Sequence, residues 1–326
     1  MISQPLLKHQ DNGTISCAFP KLNDPMKPLE YLEEENGPLN VCTTQDVIDA
    51  LNKTKANRSN SNAPVKYLMG FNEMYNDPVS KDGNDLKPRE AAYYWRKYIQ
   101  PAAEANKLDL VSPTVGGTAR AVTWFANFLK KCYDKRNNEE YPCKIKLIKK
   151  FALHHYDCRE SKWVKWFGGE NSRLMRMLTE ELGTYGGKKN WGEYVRSRDI
   201  WVTETNCYWE NRLHAMLGDP HPSSKEQCLR VTGQKQETHG KGSLVTMEGL
   251  DNIERYAWWT MWSKQIKPNY VTYEGGHLSP IGRAYLSPGN TSMDCEFKSS
   301  ELMGVRDAIV SYPAENSNCR GTEMVR

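Results

Sequence analysis

Two glutamates carry the chemistry this sequence can support. Glu73 ends the apolar run "VKYLMGFNE" and Glu204 ends "DIWVTE", so each carboxyl group sits where a strand gives way to polar residues. Two carboxyl groups flanking one bond can cleave a glycoside. One is protonated and hands its proton to the leaving oxygen, while the other is ionised and attacks, or activates water. Each glutamate has hydrogen-bonding company: Asn72 precedes Glu73, with Tyr75 just beyond it, and Asn206 follows Glu204. A single strand-end glutamate in a chain with 40 acidic residues would pass for a surface charge. Two of them, each beside an amide side chain, point to paired catalytic carboxylates.

Strands are the elements that must hold such a pair. From residue 65 onward short apolar stretches alternate with helical patterns. The expected strands are "VKYLMGFN", "KLDLVSPTV", the apolar part of "KIKLIKKFALHHY", "DIWVTETN" and "IERYAWWTMWS". Between them, "LKPREAAYYWRKYIQPAAEAN" reads as a helix with Pro88 in its first turn and a break or kink near Pro101. "ARAVTWFANFLKKCYD" puts Val122, Phe125, Leu129 and Cys132 on one helical face, and Leu174, Met177, Leu178 and Leu182 share another. The segment from Tyr208 to about Gly242 reads as a long polar excursion rich in Gly and Pro.

Strands separated by helices imply a parallel α/β architecture. A doubly wound sheet and an eightfold barrel both fit. No G-x-G-x-x-G or G-x-x-x-x-G-K-[ST] follows a strand, which argues against a nucleotide-binding sheet. Polar residues gather instead at the strands' C-terminal ends: Asn72 and Glu73, His154 and Tyr156, Glu204 and Asn206, Trp258 and Trp262. Barrel enzymes build their sites at that face. The expected fold is therefore a (β/α)8 TIM barrel over 65–290, with a C-terminal tail from 291 to 326. Residues 1–64 offer one helix, "TTQDVIDALNKT", and the first three barrel strands are incomplete or irregular there.

Composition narrows the function. A net charge of +4, from 44 basic against 40 acidic residues, gives no footprint for nucleic acid or an anionic membrane. No apolar run reaches the roughly 20 residues of a membrane-spanning helix. No CxxC pair or HExxH is present, so neither a metal nor another cofactor is expected. Nine cysteines and sequons at Asn12, Asn52, Asn57 and Asn290 suit a secreted or cell-wall-associated protein, although "MISQPLLKHQDNG" lacks the apolar core of a signal peptide. Cys132 and Cys143 flank a polar loop and should pair; Cys295 and Cys319 bracket a polar tail and either staple it or stay reduced.

Aromatic residues can serve as sugar platforms. Trp258 and Trp262 share a strand face near the second carboxylate, with Trp259 turned the other way. Tyr75 and Trp209 are further candidates, against the alternative that tryptophans in a barrel pack its core. Of His154 and His155, strand alternation lets only one face the site.

"LMGFNE", "AAYYWRKYIQP", "LVSPTV", "FALHHY", "WVTETNC", "ERYAWW" and "LSPIGRAYL" occur in the order found in glycoside hydrolase family 128, which the chain resembles from about Lys66 to Leu286. The resemblance implies a retaining β-1,3-glucanase on a (β/α)8 barrel, with Glu73 as acid/base and Glu204 as nucleophile. It matches His154 to the histidine of the family's "HWY" and His155 to its tryptophan. Glu73 should then be partly desolvated to raise its pKa. Glu204 should stay ionised through hydrogen bonds from His154 or Tyr156, and Asn72 should hold a sugar 2-hydroxyl or the nucleophile. Retention calls for carboxyl groups about 5–5.5 Å apart. Where the family has "NEPD" this chain has "NEMYND", so the loop after Glu73 is held without that proline. The expected partner is β-glucan, bound by a monomer. Two alternatives stand beside this reading: a non-catalytic β-glucan-binding or wall-associated protein on the same barrel, and a glycosidase for another β-glucan.

Overall fold

The computed structural model describes residues 48–49, 66–72, 86–134, 143–185, 190–207, 224–259, 271, 278–288 and 295. Five strands among them form an α/β fold: β1 (Tyr67–Met69), β2 (Asp109–Val111), β3 (Ile148–His154), β4 (Asp199–Thr205) and β5 (Ile253–Trp258). They form one sheet in the order β1-β2-β3-β4-β5. The pairs β1–β2, β2–β3 and β4–β5 are parallel. The three strands expected ahead of β1 fall among residues 1–64, where only Ile48 and Asp49 are described; both are helical, inside the helix expected there. Contacts divide the chain into two compact units.

The first unit comprises residues 1–152 and 177–198. Its core is aromatic. Val122, Phe125, Leu129 and Cys132, three or four residues apart on the helix Ala119–Tyr133, are all 1 % exposed or less. Phe125 meets Phe151 of β3 edge-on at 5.0 Å, and Phe128 meets Trp95 at 5.4 Å. The helix begins on Thr118, whose hydroxyl accepts the Ala121 N–H. It ends near Cys132, which is disulfide-bonded to Cys143 as expected.

Pro101 acts one turn earlier than its position in the sequence suggests. The helix Pro88–Tyr94 widens into a π-helical turn, Trp95–Ile99, before resuming as Gln100–Ala105. A proline inside a helix clashes with the carbonyl of the preceding turn and cannot donate to it. The widened turn, in which Gln100 N–H reaches the Trp95 carbonyl, absorbs that misfit without ending the helix. Trp95 is fully buried, and its ring lies against Gly70 so closely that a Cβ at residue 70 would collide with it.

The second unit comprises residues 153–176 and 199–326. Here β4 and β5 pair with Ile200 opposite Ile253, Val202 opposite Tyr256 and Thr205 opposite Trp258. The helix Pro280–Leu286, capped by the Ser279 hydroxyl on Gly282 N–H, brings Tyr285 against Tyr256. A side chain at residue 282 would collide with the Val271 carbonyl, which accounts for the glycine in "SPIGRAY". On the helix Arg173–Leu182, which crosses from one unit to the other, Leu174, Leu178 and Leu182 are buried as expected; Met175 joins them and Met177 is half-buried.

Two expectations need correcting. Cys295 pairs with Cys228, not Cys319. Proximity along the chain suggested the tail partner, whereas the fold brings Cys228 within 5.7 Å of Cys295, Cα to Cα. The long excursion is also not wholly irregular: it contains the helices Ser224–Val231 and Gln236–His239. Its charged and amide residues hid the buried face of Gln227, Cys228, Arg230 and Val231. Cys17, Cys42 and Cys319 lie outside the described residues.

Candidate active site

The C-terminal end of β4 brings polar groups of the second unit together. Along β4, Ile200, Trp201 and Val202 are buried, and the strand then opens to half-buried Thr203 and Glu204. The end of β3 lies beside it. His155 N–H donates to the Glu204 carbonyl at 3.1 Å, and the Thr203 hydroxyl reaches the Leu153 carbonyl at 3.4 Å. This backbone register puts two side chains on one carboxylate oxygen. Tyr156 donates its phenolic hydrogen to Glu204 Oε2, and His154 Nδ1 stands 3.3 Å from the same atom. His154 is 1 % exposed, whereas the Glu204 side chain keeps 14 %. A hydrogen bond donated to a carboxylate favours its charged form over its neutral one. A partly exposed one also keeps a face for a substrate atom. Nucleophilic attack on an electrophilic carbon needs both properties.

His155 faces away from this oxygen, as strand alternation requires. Its ring sits among Trp163 at 4.7 Å, Phe167 at 5.3 Å and Trp166 at 5.7 Å. Burial there pushes the imidazole pKa down to about 4, against a weaker opposing pull from Asp157. His155 is therefore a neutral packing group at neutral pH. Burial would raise the Asp157 carboxyl, but Arg159 outweighs it through two side-chain bonds at 2.9 and 2.7 Å and its backbone N–H, and holds the pKa below the usual value.

Asn206 is 2 % exposed and gives its amide N–H to the Trp259 carbonyl at 2.6 Å. Trp259 N–H in turn donates to the Thr205 carbonyl at 2.8 Å. Asn206 thus fixes the exit of β5 beside the exit of β4. The two tryptophans there differ: Trp258 is 4 % exposed and Trp259 is 48 % exposed. In the first unit, half-buried Asn72 bridges to Thr114 beyond the end of β1. Glu73, Tyr75, Trp209 and Trp262 lie outside the described residues.

Of the residues singled out from the sequence, the structure brings Glu204, His154 and Tyr156 into one cluster, with Asn206 two positions beyond the glutamate. Sequence reasoning missed the disulfide between Cys158 and Cys207, both fully buried, which closes over the same two strand ends. A signal was present: each cysteine follows a site residue by two or three positions.

Residues 42–285 match the family described as "Glycosyl hydrolase catalytic core". The chain belongs to that family. The motif order that resembles glycoside hydrolase family 128 points the same way. No curated protein matches this glycosyl hydrolase. Among solved structures it is similar to a family 128 subgroup II endo-β-1,3-glucanase from Sorangium cellulosum, at 20 % identity and a TM-score of 0.44, over 84 % of this chain and 89 % of that one. The corresponding enzyme from Pseudomonas viridiflava shows 18 % identity and a TM-score of 0.46, over 76 % and 75 %. A subgroup VII oligosaccharide-binding protein from Trichoderma gamsii shows 16 % identity and a TM-score of 0.41, over 76 % and 74 %.

Proposed function

We propose that this glycosyl hydrolase is a retaining β-1,3-glucanase on a (β/α)8 barrel, in which Glu204 is the nucleophile and Glu73 the acid/base. The observation that carries the reading is the Glu204 carboxylate at the end of β4, with Tyr156 and His154 on one oxygen and part of its surface open. In the first step Glu204 attacks the anomeric carbon while Glu73 passes its proton to the leaving glucan oxygen. In the second, Glu73 takes a proton from water, the water attacks the anomeric carbon, and the Glu204 ester breaks. Two inversions leave the β configuration unchanged.

Tyr156 and His154 hold one Glu204 oxygen in place. Their hydrogen bonds also favour the carboxylate that reforms when the ester breaks. Asn72, Tyr75, Trp258 and Trp262 complete the proposed sugar contacts, and Asn206 holds the β5 exit. The motifs favour β-1,3-glucan as substrate. The three disulfides among the described residues fit an oxidising, extracellular setting, and no helix among those residues is long and apolar enough to cross a membrane.

The test is incubation with soluble and insoluble β-1,3-glucan, reading reducing ends and the anomer formed by proton NMR. Release of β-anomeric oligosaccharides is expected. Binding to the insoluble polymer without release would favour the non-catalytic glucan-binding alternative, and release only from another β-glucan the other one.

A further inference from the structure

We propose that the Cys158–Cys207 disulfide is a positioning element for the Glu204 carboxylate, holding Tyr156 against it. The proposal rests on the assignment of Glu204 made above. Tyr156 lies between two ties. On its strand side, the His155 N–H bond to the Glu204 carbonyl fastens the end of β3 to β4. On its far side, Cys158 is bonded to Cys207, so the segment 156–158 is joined covalently to the segment 204–207. Residues 155–159 have no regular secondary structure to hold them. A phenol on such a segment keeps its place only if both ends are fixed.

Neighbouring contacts extend the clamp on each side. Asp157, between Tyr156 and Cys158, is gripped by Arg159, and Trp163 Nε1–H donates to the Asp157 carbonyl at 2.8 Å. Asn206, between Glu204 and Cys207, is anchored on Trp259. Both cysteines are fully buried. The bridge therefore acts as a fixed strut between the exits of β3 and β4, beside the proposed nucleophile and its hydrogen-bond donor. An error of about 1 Å in such positioning can cost on the order of a hundredfold in rate.

The Cys228–Cys295 bridge supplies the control, because it spans 67 residues against 49 for Cys158–Cys207. The two should lose similar chain-entropy stabilisation when removed. The experiment compares Cys158→Ala/Cys207→Ala with Cys228→Ala/Cys295→Ala, below the melting temperature of both. Two quantities are read: kcat and KM on β-1,3-glucan, and the downfield proton NMR signal of the Tyr156–Glu204 hydrogen bond, identified by its loss in Tyr156→Phe.

The expected result is a fall in kcat of about tenfold or more, with little change in KM and loss of the downfield signal, in the Cys158/Cys207 variant alone. Equal kcat and an intact signal in both variants overturn the proposal. If the alanine pair does not fold, Cys158→Ala/Cys207→Val refills the buried volume and is read the same way. If the wild type releases no sugar, the glucanase assignment fails, and the NMR signal still decides the clamp.

Discussion

Tyr156 and His154, two positions apart where β3 ends, meet the same oxygen, Oε2 of Glu204. Both contacts fall on one oxygen of the carboxylate. The arrangement has direct consequences for how the two residues couple.

Tyr156→Phe removes a hydrogen bond to a charged group, worth about 1.5–3 kcal/mol. Its kcat on β-1,3-glucan should fall about ten- to a hundredfold, while its melting temperature moves by only a few degrees. His154→Ala should also slow turnover. Since both residues act on one atom, the double variant should lose less than the product of the two single losses. A double-mutant cycle on kcat measures this; strict additivity would mean that the residues act separately.

His155 makes stability depend on pH. Its folded pKa of about 4 lies below the unfolded value near 6.5, so the unfolded chain takes up the proton first as pH falls. Stability present above about pH 6.5 is lost between there and about pH 4, by an amount of the order of 3 kcal/mol at most. The lowered Asp157 carboxyl acts in the same direction, in the range below the usual carboxylate pKa. Thermal unfolding of the wild type and His155→Phe across pH 4–7 checks this. The variant, with a ring that cannot titrate among Trp163, Trp166 and Phe167, should show a flatter profile in that window.

Gly70→Ala should destabilise the first unit by about 1–3 kcal/mol, since the added methyl collides with the buried Trp95 ring. Trp95 is held in the π-helical turn and has little room to retreat. A drop in melting temperature is the readout. An unchanged value would mean that the helix shifts at small cost.

Where a sequence signal was local, the fold was legible. All five strands were visible as short apolar runs closed by Asn, Pro, Gly or charge, and the face Val122–Phe125–Leu129–Cys132 followed from helical spacing alone. Strand alternation separated His154 from His155. Non-local features were not legible. Cys228–Cys295 joins residues 67 positions apart with nothing nearby in the chain to mark them as partners, and Cys158–Cys207, 49 apart, is marked only by its closeness to two site residues. The helix Ser224–Val231 was hidden because its buried face carries Gln227 and Arg230 beside Cys228 and Val231. The π-helical turn depends on a carbonyl clash that Pro101 imposes on the preceding turn, so composition alone could place a break but not its form. At the candidate site, Glu204, His154 and Tyr156 were each readable as strand-end polar groups. That the two donors share a single oxygen depends on the register of β3 against β4.

The measurement that bears most directly on the central claim is azide rescue of Glu204→Ala and Glu73→Ala on β-1,3-glucan, with the anomeric configuration of the product read by proton NMR. With Glu204 as nucleophile, azide replaces it in a single displacement, and Glu204→Ala should yield an α-glycosyl azide. Glu73→Ala, given instead an aryl β-1,3-glucoside whose leaving group departs without a proton, should still form the glycosyl-enzyme, which azide then opens to a β-glycosyl azide. A β product from Glu204→Ala, or wild-type turnover in that variant without azide, would contradict the account.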